Sequence, residues 1–123
     1  MILGHGVDVQ SIEAVSAVVA RQERFAATIL TPAELVLYEQ KRGKHKPEFL
    51  TGRFSVKEAF SKAVGTGMSN GLGWQDLEIL SGDAGEPVFT RYPDQENVRV
   101  HVSISHSADT VFTSVILEQA DER

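Results

Sequence analysis

Apolar and polar positions follow a period of two at the start of the chain, a helical spacing through its middle, and a period of two again near its end. Met1–Ile12, MILGHGVDVQSI, reads as a strand. Ile2, Gly4, Gly6, Asp8 and Gln10 share one side and Leu3, His5, Val7 and Val9 the other. Glycine weakens a strand and marks close approach by another backbone or a ligand, so Gly4 and Gly6 point to something pressed against this side. Ser11 is placed to cap a helix over Ile12–Ala20, which continues or kinks into Arg21–Ile29. Thr31-Pro32-Ala33-Glu34 carries a full helix start, with Thr at the N-cap, Pro at the first helical position and Glu two further on. That helix is predicted to run to about Lys41 and to stop near Gly43.

The longest helix is predicted over Pro47–Val64. Phe49, Leu50, Val56, Phe60 and Val64 fall on one broad arc at about 100° per residue, and Arg53 and Lys57 fall inside the same arc. Long cations can reach out of an apolar stripe, but two in one stripe point to a ligand or a neighbouring subunit. Glu58 and Lys62, four apart, meet on an adjacent face, either as a surface ion pair or as parts of a site for an anion and a metal. Gly65, Gly67, Gly71 and Gly73 then end the helix in a loop that matches no phosphate-binding fingerprint. Strands follow over Trp74–Leu80, Pro87–Thr90, Val98–Ser105 and Thr110–Leu117, with turns at Ser81–Gly85, Tyr92–Asn97 and His106–Asp109. Helices early and antiparallel strands late make an α+β protein, an antiparallel sheet packed on a long helix. No repeat or internal boundary divides residues 1–123, so a single domain is expected.

Charge narrows the function. A net charge of −5 over 123 residues argues against a general nucleic-acid binder. Yet residues 41–46 read KRGKHK, a basic run suited to phosphates or an acidic partner. Without cysteine there are no disulfides and no thiolate metal sites, which fits a reducing cytoplasm. Neither a signal peptide nor a membrane span is expected. A metal would be held by oxygen or histidine, and Asp8 and Glu58 are hard oxygen donors suited to Mg²⁺. Ser105, His106 and Asp109 permit a hydrolase reading, but no nucleophile elbow surrounds the serine; His106 is better motivated as a donor to phosphate.

Gly6-Val7-Asp8 followed by Phe54–Lys62, FSVKEAFSK, strongly resembles the two-part signature of phosphopantetheinyl transferases. The resemblance is to the short, holo-acyl carrier protein synthase type and covers nearly the whole chain. It includes Arg24-Phe25, Ile29-Leu30-Thr31, Glu48-Phe49-Leu50, Gly52-Arg53-Phe54, Gly65-Thr66-Gly67, Glu78-Ile79 and Val102-Ser103-Ile104-Ser105-His106. It implies transfer of the 4'-phosphopantetheine group from coenzyme A to a serine of apo acyl carrier protein, in support of fatty acid biosynthesis. By resemblance Asp8 and Glu58 hold Mg²⁺, and Glu58 and Lys62 are catalytic. Lys44, Arg53, Lys62, Gly65 and His106 bind coenzyme A, and Arg21, Arg24 and Phe25 dock the carrier. Members of this type resemble homotrimers with sites between subunits.

Two positions depart from the family's pattern. Ala14, preceded by Glu13, stands where an arginine is common on the first helix, which shifts electrostatic steering of an acidic carrier to Arg21 and Arg24. Glu86 stands where Gly-Lys-Pro is common, and an acid there is given no phosphate-binding role. Two other classes stay open: a non-catalytic carrier-binding protein with this fold, and a Mg²⁺-dependent nucleotide hydrolase using the same carboxylates.

Overall fold

The computed structural model describes residues 1–68 and 70–121. Its order is β1 (Ile2–Ser11), α1 (Ile12–Arg21), α2 (Phe25–Ile29), α3 (Pro32–Gln40), α4 (His45–Val64), β2 (Glu78–Ser81), β3 (Pro87–Arg91), β4 (Val98–Ser107) and β5 (Thr110–Gln119). β1, β5 and β4 form one antiparallel sheet in that spatial order, and β2 and β3 form a separate hairpin. The α+β architecture is as expected, with α4 laid across the three-stranded sheet.

α4 docks closely because β1 offers no side chains at the crossing. A Cβ on Gly6 would stand 2.1 Å from the Ala59 carbonyl oxygen and 2.6 Å from the Ala63 nitrogen. On Gly4 it would stand 2.1 Å from the Ala63 carbonyl oxygen. The helix backbone therefore occupies the space that any other residue would fill. The opposite side of β1 is open, and Leu3, Val7 and Val9 are exposed there.

The single apolar arc predicted for α4 is too narrow. Thr51, Gly52, Ser55 and Ser61, outside that arc, are buried too, whereas Val64, within it, is 45% exposed. α4 is a central helix, covered by the sheet and by α1, α2 and α3, with Phe89 of the hairpin against Phe60. One core gathers Val56, Ala59, Phe60, Leu77, Ile79 and Val115; a second gathers Val15, Ile29, Leu30, Tyr38, Phe49 and Leu50. Burying a side chain such as Phe60 contributes about 1.5–3 kcal/mol.

Several boundaries moved for local reasons. α4 begins at His45 rather than Pro47, so Lys44 is its N-cap instead of part of a free loop. The predicted strand over Trp74–Leu80 starts as a 3-10 turn at Trp74–Asp76, because the Gly73 N–H donates to Asp76 Oδ2 at 2.8 Å. β4 runs to Ser107, leaving a turn at Ala108 and Asp109, so His106 lies on a strand paired with Val111. The helix over residues 12–29 breaks in two, with Gln22 as the C-cap of α1. Thr31 caps α3 as expected: its Oγ1 accepts from the Glu34 N–H at 3.2 Å while Glu34 Oε1 accepts from the Thr31 N–H at 2.8 Å.

Candidate active site

The β1–α4 crossing brings Asp8 against the signature helix. Asp8 is 5% exposed. Its Oδ2 accepts from Ser55 Oγ at 2.8 Å and from Gln10 Nε2 at 2.9 Å, and its Oδ1 from Lys62 Nζ at 3.0 Å. Ser55 also meets Thr113 Oγ1 at 2.7 Å. Its one proton goes to the carboxylate, so Thr113 supplies the proton of that second bond. Ser55 and Gln10, neither singled out from sequence, thus fix the carboxylate's orientation. Both share a face with residues that were singled out: Gln10 follows Asp8 by two on a strand, and Ser55 lies on the signature helix.

Lys62 pairs with Asp8 rather than with Glu58, which removes the surface ion-pair reading of this helix. Its side chain is 54% exposed, so the ammonium is tethered at Asp8 yet open to solvent. Glu58 is partly buried. Burial pushes its carboxyl above the usual range, the Asp8 carboxylate pushes it further, and Lys62 offsets part of the shift. Two hard oxygen donors that repel one another fit a divalent cation. Among the described residues no cluster of three His, Cys, Asp or Glu gathers. The donor set therefore suits a hard ion that keeps water and phosphate oxygens as its other ligands, as Mg²⁺ does.

A separate cavity of about 600 Å³ opens at the other end of α4. Lys41, Arg42, His45, Arg53 and His106 line it, together with Glu48 and Phe49. Arg53 Nε donates to the Ile79 carbonyl at 2.8 Å, and its guanidinium lies 4.3 Å from the centre of the Phe49 ring. Burial lowers the Arg53 pKa to about 10, which leaves it cationic at neutral pH. Four of these five cavity groups are permanent or titratable cations from the 41–53 stretch, so the cavity suits an anion. Lys44 does not line it. Gly65, the left-handed C-cap of α4, stands at the far end of the helix, about 30 Å from Lys44 at 1.5 Å per residue. Glu86 turns back onto its own turn, where its Oε1 accepts from the Ala84 N–H at 3.0 Å.

Arg21 and Arg24 are exposed, and Phe25 is half-buried beside Phe54, which in turn stacks on Trp74. Lys57 departs from expectation. It faces neither ligand nor open surface but is fully buried, with its Nζ 2.7 Å from Glu34 Oε1. The hydrolase reading of Ser105, His106 and Asp109 also fails. Asp109 is committed to the start of α1, accepting from Ser11 Oγ at 2.5 Å and the Glu13 N–H at 2.8 Å.

The paired carboxylates with an adjacent lysine and the anion cavity both lie along α4, a set of groups chemically suited to a phosphate ester and a divalent cation. The model of the 4'-phosphopantetheinyl transferase superfamily matches residues 4–117, and the chain belongs to that family. It is 50% identical to a holo-[acyl-carrier-protein] synthase of Streptococcus thermophilus, over 97% of this chain and 98% of that one. It is 46% identical to one of Ligilactobacillus salivarius, over 97% of this chain and 89% of that one. The fold is similar to that of a Bacillus anthracis holo-(acyl-carrier-protein) synthase in complex with CoA (3',5'-ADP). That match has a TM-score of 0.88 and 33% identity, over 98% of this chain and 99% of that one. A Helicobacter pylori synthase in complex with coenzyme A is similar at a TM-score of 0.80 and 29% identity, over 93% and 99%.

Proposed function

We propose that this chain is a holo-acyl carrier protein synthase, moving 4'-phosphopantetheine from coenzyme A to a serine of apo acyl carrier protein and serving fatty acid biosynthesis. The observation that carries this reading is the Asp8–Glu58 pair docked beside Lys62, in a chain matched end to end by relatives of that name. The serine oxygen forms a bond to the β-phosphorus of coenzyme A, the bond to the bridging oxygen breaks, and adenosine 3',5'-bisphosphate leaves. Asp8 and Glu58 would hold Mg²⁺, which would supply charge neutralisation for the pyrophosphate. Lys62 answers charge developing on the transferring phosphate. Glu58 is the carboxylate assigned to accept the serine proton. Arg53 and His106, with Lys41, Arg42 and His45, receive the phosphates of the nucleotide end. Lys44 is carried over from the resemblance alone as a further phosphate contact, and Gly65 as a close approach for the pantetheine arm. Arg21, Arg24 and Phe25 dock the carrier, with Ala14 leaving the steering to the two arginines.

The anion cavity and the carboxylate pair lie at different levels of α4, and the outer face of the sheet carries an exposed apolar group, Leu3, Val7, Val9 and Phe112. This supports a homotrimer assembled through that face, in which one subunit's cavity and its neighbour's carboxylates share a substrate. A cysteine-free enzyme acting on a thiol coenzyme is assigned to the cytoplasm. No helix among the described residues is long and apolar enough to cross a membrane.

Incubation with coenzyme A, apo carrier and either Mg²⁺ or a chelator separates the classes. A carrier heavier by one phosphopantetheine, only with Mg²⁺, is the expected result. Carrier binding without a mass gain would mark a non-catalytic binder, and nucleotide release without carrier modification a hydrolase. Sedimentation at micromolar concentration should give the mass of three chains, and Val9→Glu should reduce it.

A further inference from the structure

Lys57 lies in the middle of the signature helix, next to Glu58, and the proposed chemistry leaves it without a task. Its surroundings are unusually complete. The side chain is 0% exposed, and the ammonium donates all three of its protons: to the Ile29 carbonyl at 2.7 Å, to Glu34 Oε1 at 2.7 Å and to the Trp74 carbonyl at 3.0 Å. Glu34 is equally committed, since its Oε1 also accepts from the Thr31 N–H and its Oε2 from the Ile79 N–H at 2.7 Å.

The Ile29 carbonyl is the telling partner. It belongs to the last turn of α2, a helix of 5 residues, too short to be stable without outside help. The carbonyls at such an end have no partners within the helix. Here they are taken from outside. Gln75 Nε2 lies 3.2 Å from the Ala27 carbonyl, 3.2 Å from the Thr28 carbonyl and 2.8 Å from the Leu30 carbonyl, and Lys57 takes Ile29. A buried cation at a helix C-terminus is also favoured by the aligned peptide dipoles. The same α2 begins with Phe25, and Arg24 is its N-cap. The Phe25 ring lies 5.7 Å from that of Phe54, one turn of α4 before Glu58.

We infer that Lys57, with Gln75, is a positioning residue that clamps the carrier-docking segment Arg24–Ile29 to the turn of α4 bearing Glu58, and so sets where the carrier's serine arrives. This rests on the reading of Arg24 and Phe25 as carrier contacts. A buried ion pair is seldom the most stable filling for its space, and hydrophobic replacements are often neutral or stabilising. The fixed geometry of α2 is what the pair adds here. Lys57 touches no substrate in this account; it acts through α2.

The test uses two variants of the full chain and two readouts. Lys57→Met with Glu34→Gln removes both buried charges together, and Gln75→Ala releases the other three carbonyls from an exposed position. Both are assayed for transfer at varied carrier concentration and for binding of adenosine 3',5'-bisphosphate. The expected result is a rise in carrier KM on the order of 10-fold or more, since displacements near 1 Å far from the chemistry carry such penalties. Nucleotide affinity should stay unchanged. A parallel loss of nucleotide affinity, or an unchanged carrier KM, would overturn the inference. If the double variant does not fold, Gln75→Ala decides alone. Arg24→Glu is the control for the docking reading: if the parent transfers normally and Arg24→Glu leaves carrier KM unchanged, the docking assignment fails. An effect of Arg24→Glu without one in the clamp variants sinks the clamp alone.

Discussion

Gly6→Ala is the substitution whose consequence follows most directly from the geometry. The added Cβ would meet the Ala59 carbonyl oxygen at 2.1 Å and the Ala63 nitrogen at 2.6 Å, both helix backbone that cannot rotate aside. Ordinary contact begins near 3.4 Å, so β1 and α4 must separate by about 1.3 Å, the difference between 3.4 and the 2.1 Å at which the added Cβ would stand. Asp8 lies two residues on, on the same side of the strand. Its bonds from Ser55 at 2.8 Å and Lys62 at 3.0 Å would both stretch beyond hydrogen-bond range. Overpacking of this kind costs about 1–3 kcal/mol. At about 4 °C per kcal/mol for a chain of this length, the melting temperature should fall by about 4–12 °C. Transfer should fall by about 100-fold, the penalty for misplacing a reacting group by 1 Å. Gly52→Ala is the contrast, because its Cβ would meet only Ile104 Cγ2 at 3.9 Å and should gain helix propensity of about 0.5–1 kcal/mol. Thermal unfolding and steady-state transfer measure both. A Gly6→Ala protein that melts and turns over like the parent refutes the claim that the glycines set how closely α4 docks on β1.

Glu58 has a raised pKa, so its ionisation opposes folding: below the unfolded carboxylate range its contribution is fully favourable, and this is lost as pH rises through the folded pKa. Glu58→Gln should therefore melt like the parent in acid and above it at neutral pH, a gap that a pH series of unfolding curves would reveal. Mg²⁺ should raise the parent's melting temperature by linkage, about 2.7 kcal/mol at 100 times its Kd, and do so far less in Asp8→Asn. Lys57→Met alone should cost about 3–5 kcal/mol by stranding Glu34, and adding Glu34→Gln should restore part of it; denaturant unfolding of the single and double variants measures the coupling.

Much of the site was legible because its residues are repeated at short intervals. A period of two put Gly4, Gly6 and Asp8 on one face of β1, and that face is the one against α4. The resemblance joined Asp8 to Glu58 across the chain, which no local pattern could do. Lys57 was misread for the same reason in reverse. A helical wheel registers neighbours three and four residues away, whereas Glu34 and Ile29 lie 23 and 28 residues off. The strand predicted at Trp74 failed because side chains captured the backbone there: Asp76 holds the Gly73 N–H, and Gln75 is spent on α2. The anion cavity was only half visible. Arg53 and His106 were named, but the lengthened start of α4 places His45, with Lys41 and Arg42, at the wall instead of Lys44.

The centre of the account is that the carboxylate pair at the β1–α4 crossing carries out phosphopantetheinyl transfer. Intact mass of an apo carrier, after incubation with coenzyme A, Mg²⁺ and either the parent or Glu58→Gln at equal concentration, tests it most directly. A carrier heavier by one phosphopantetheine is expected with the parent, and an unchanged carrier with Glu58→Gln, whose fold and assembly remain intact. Equal conversion by both proteins would contradict it.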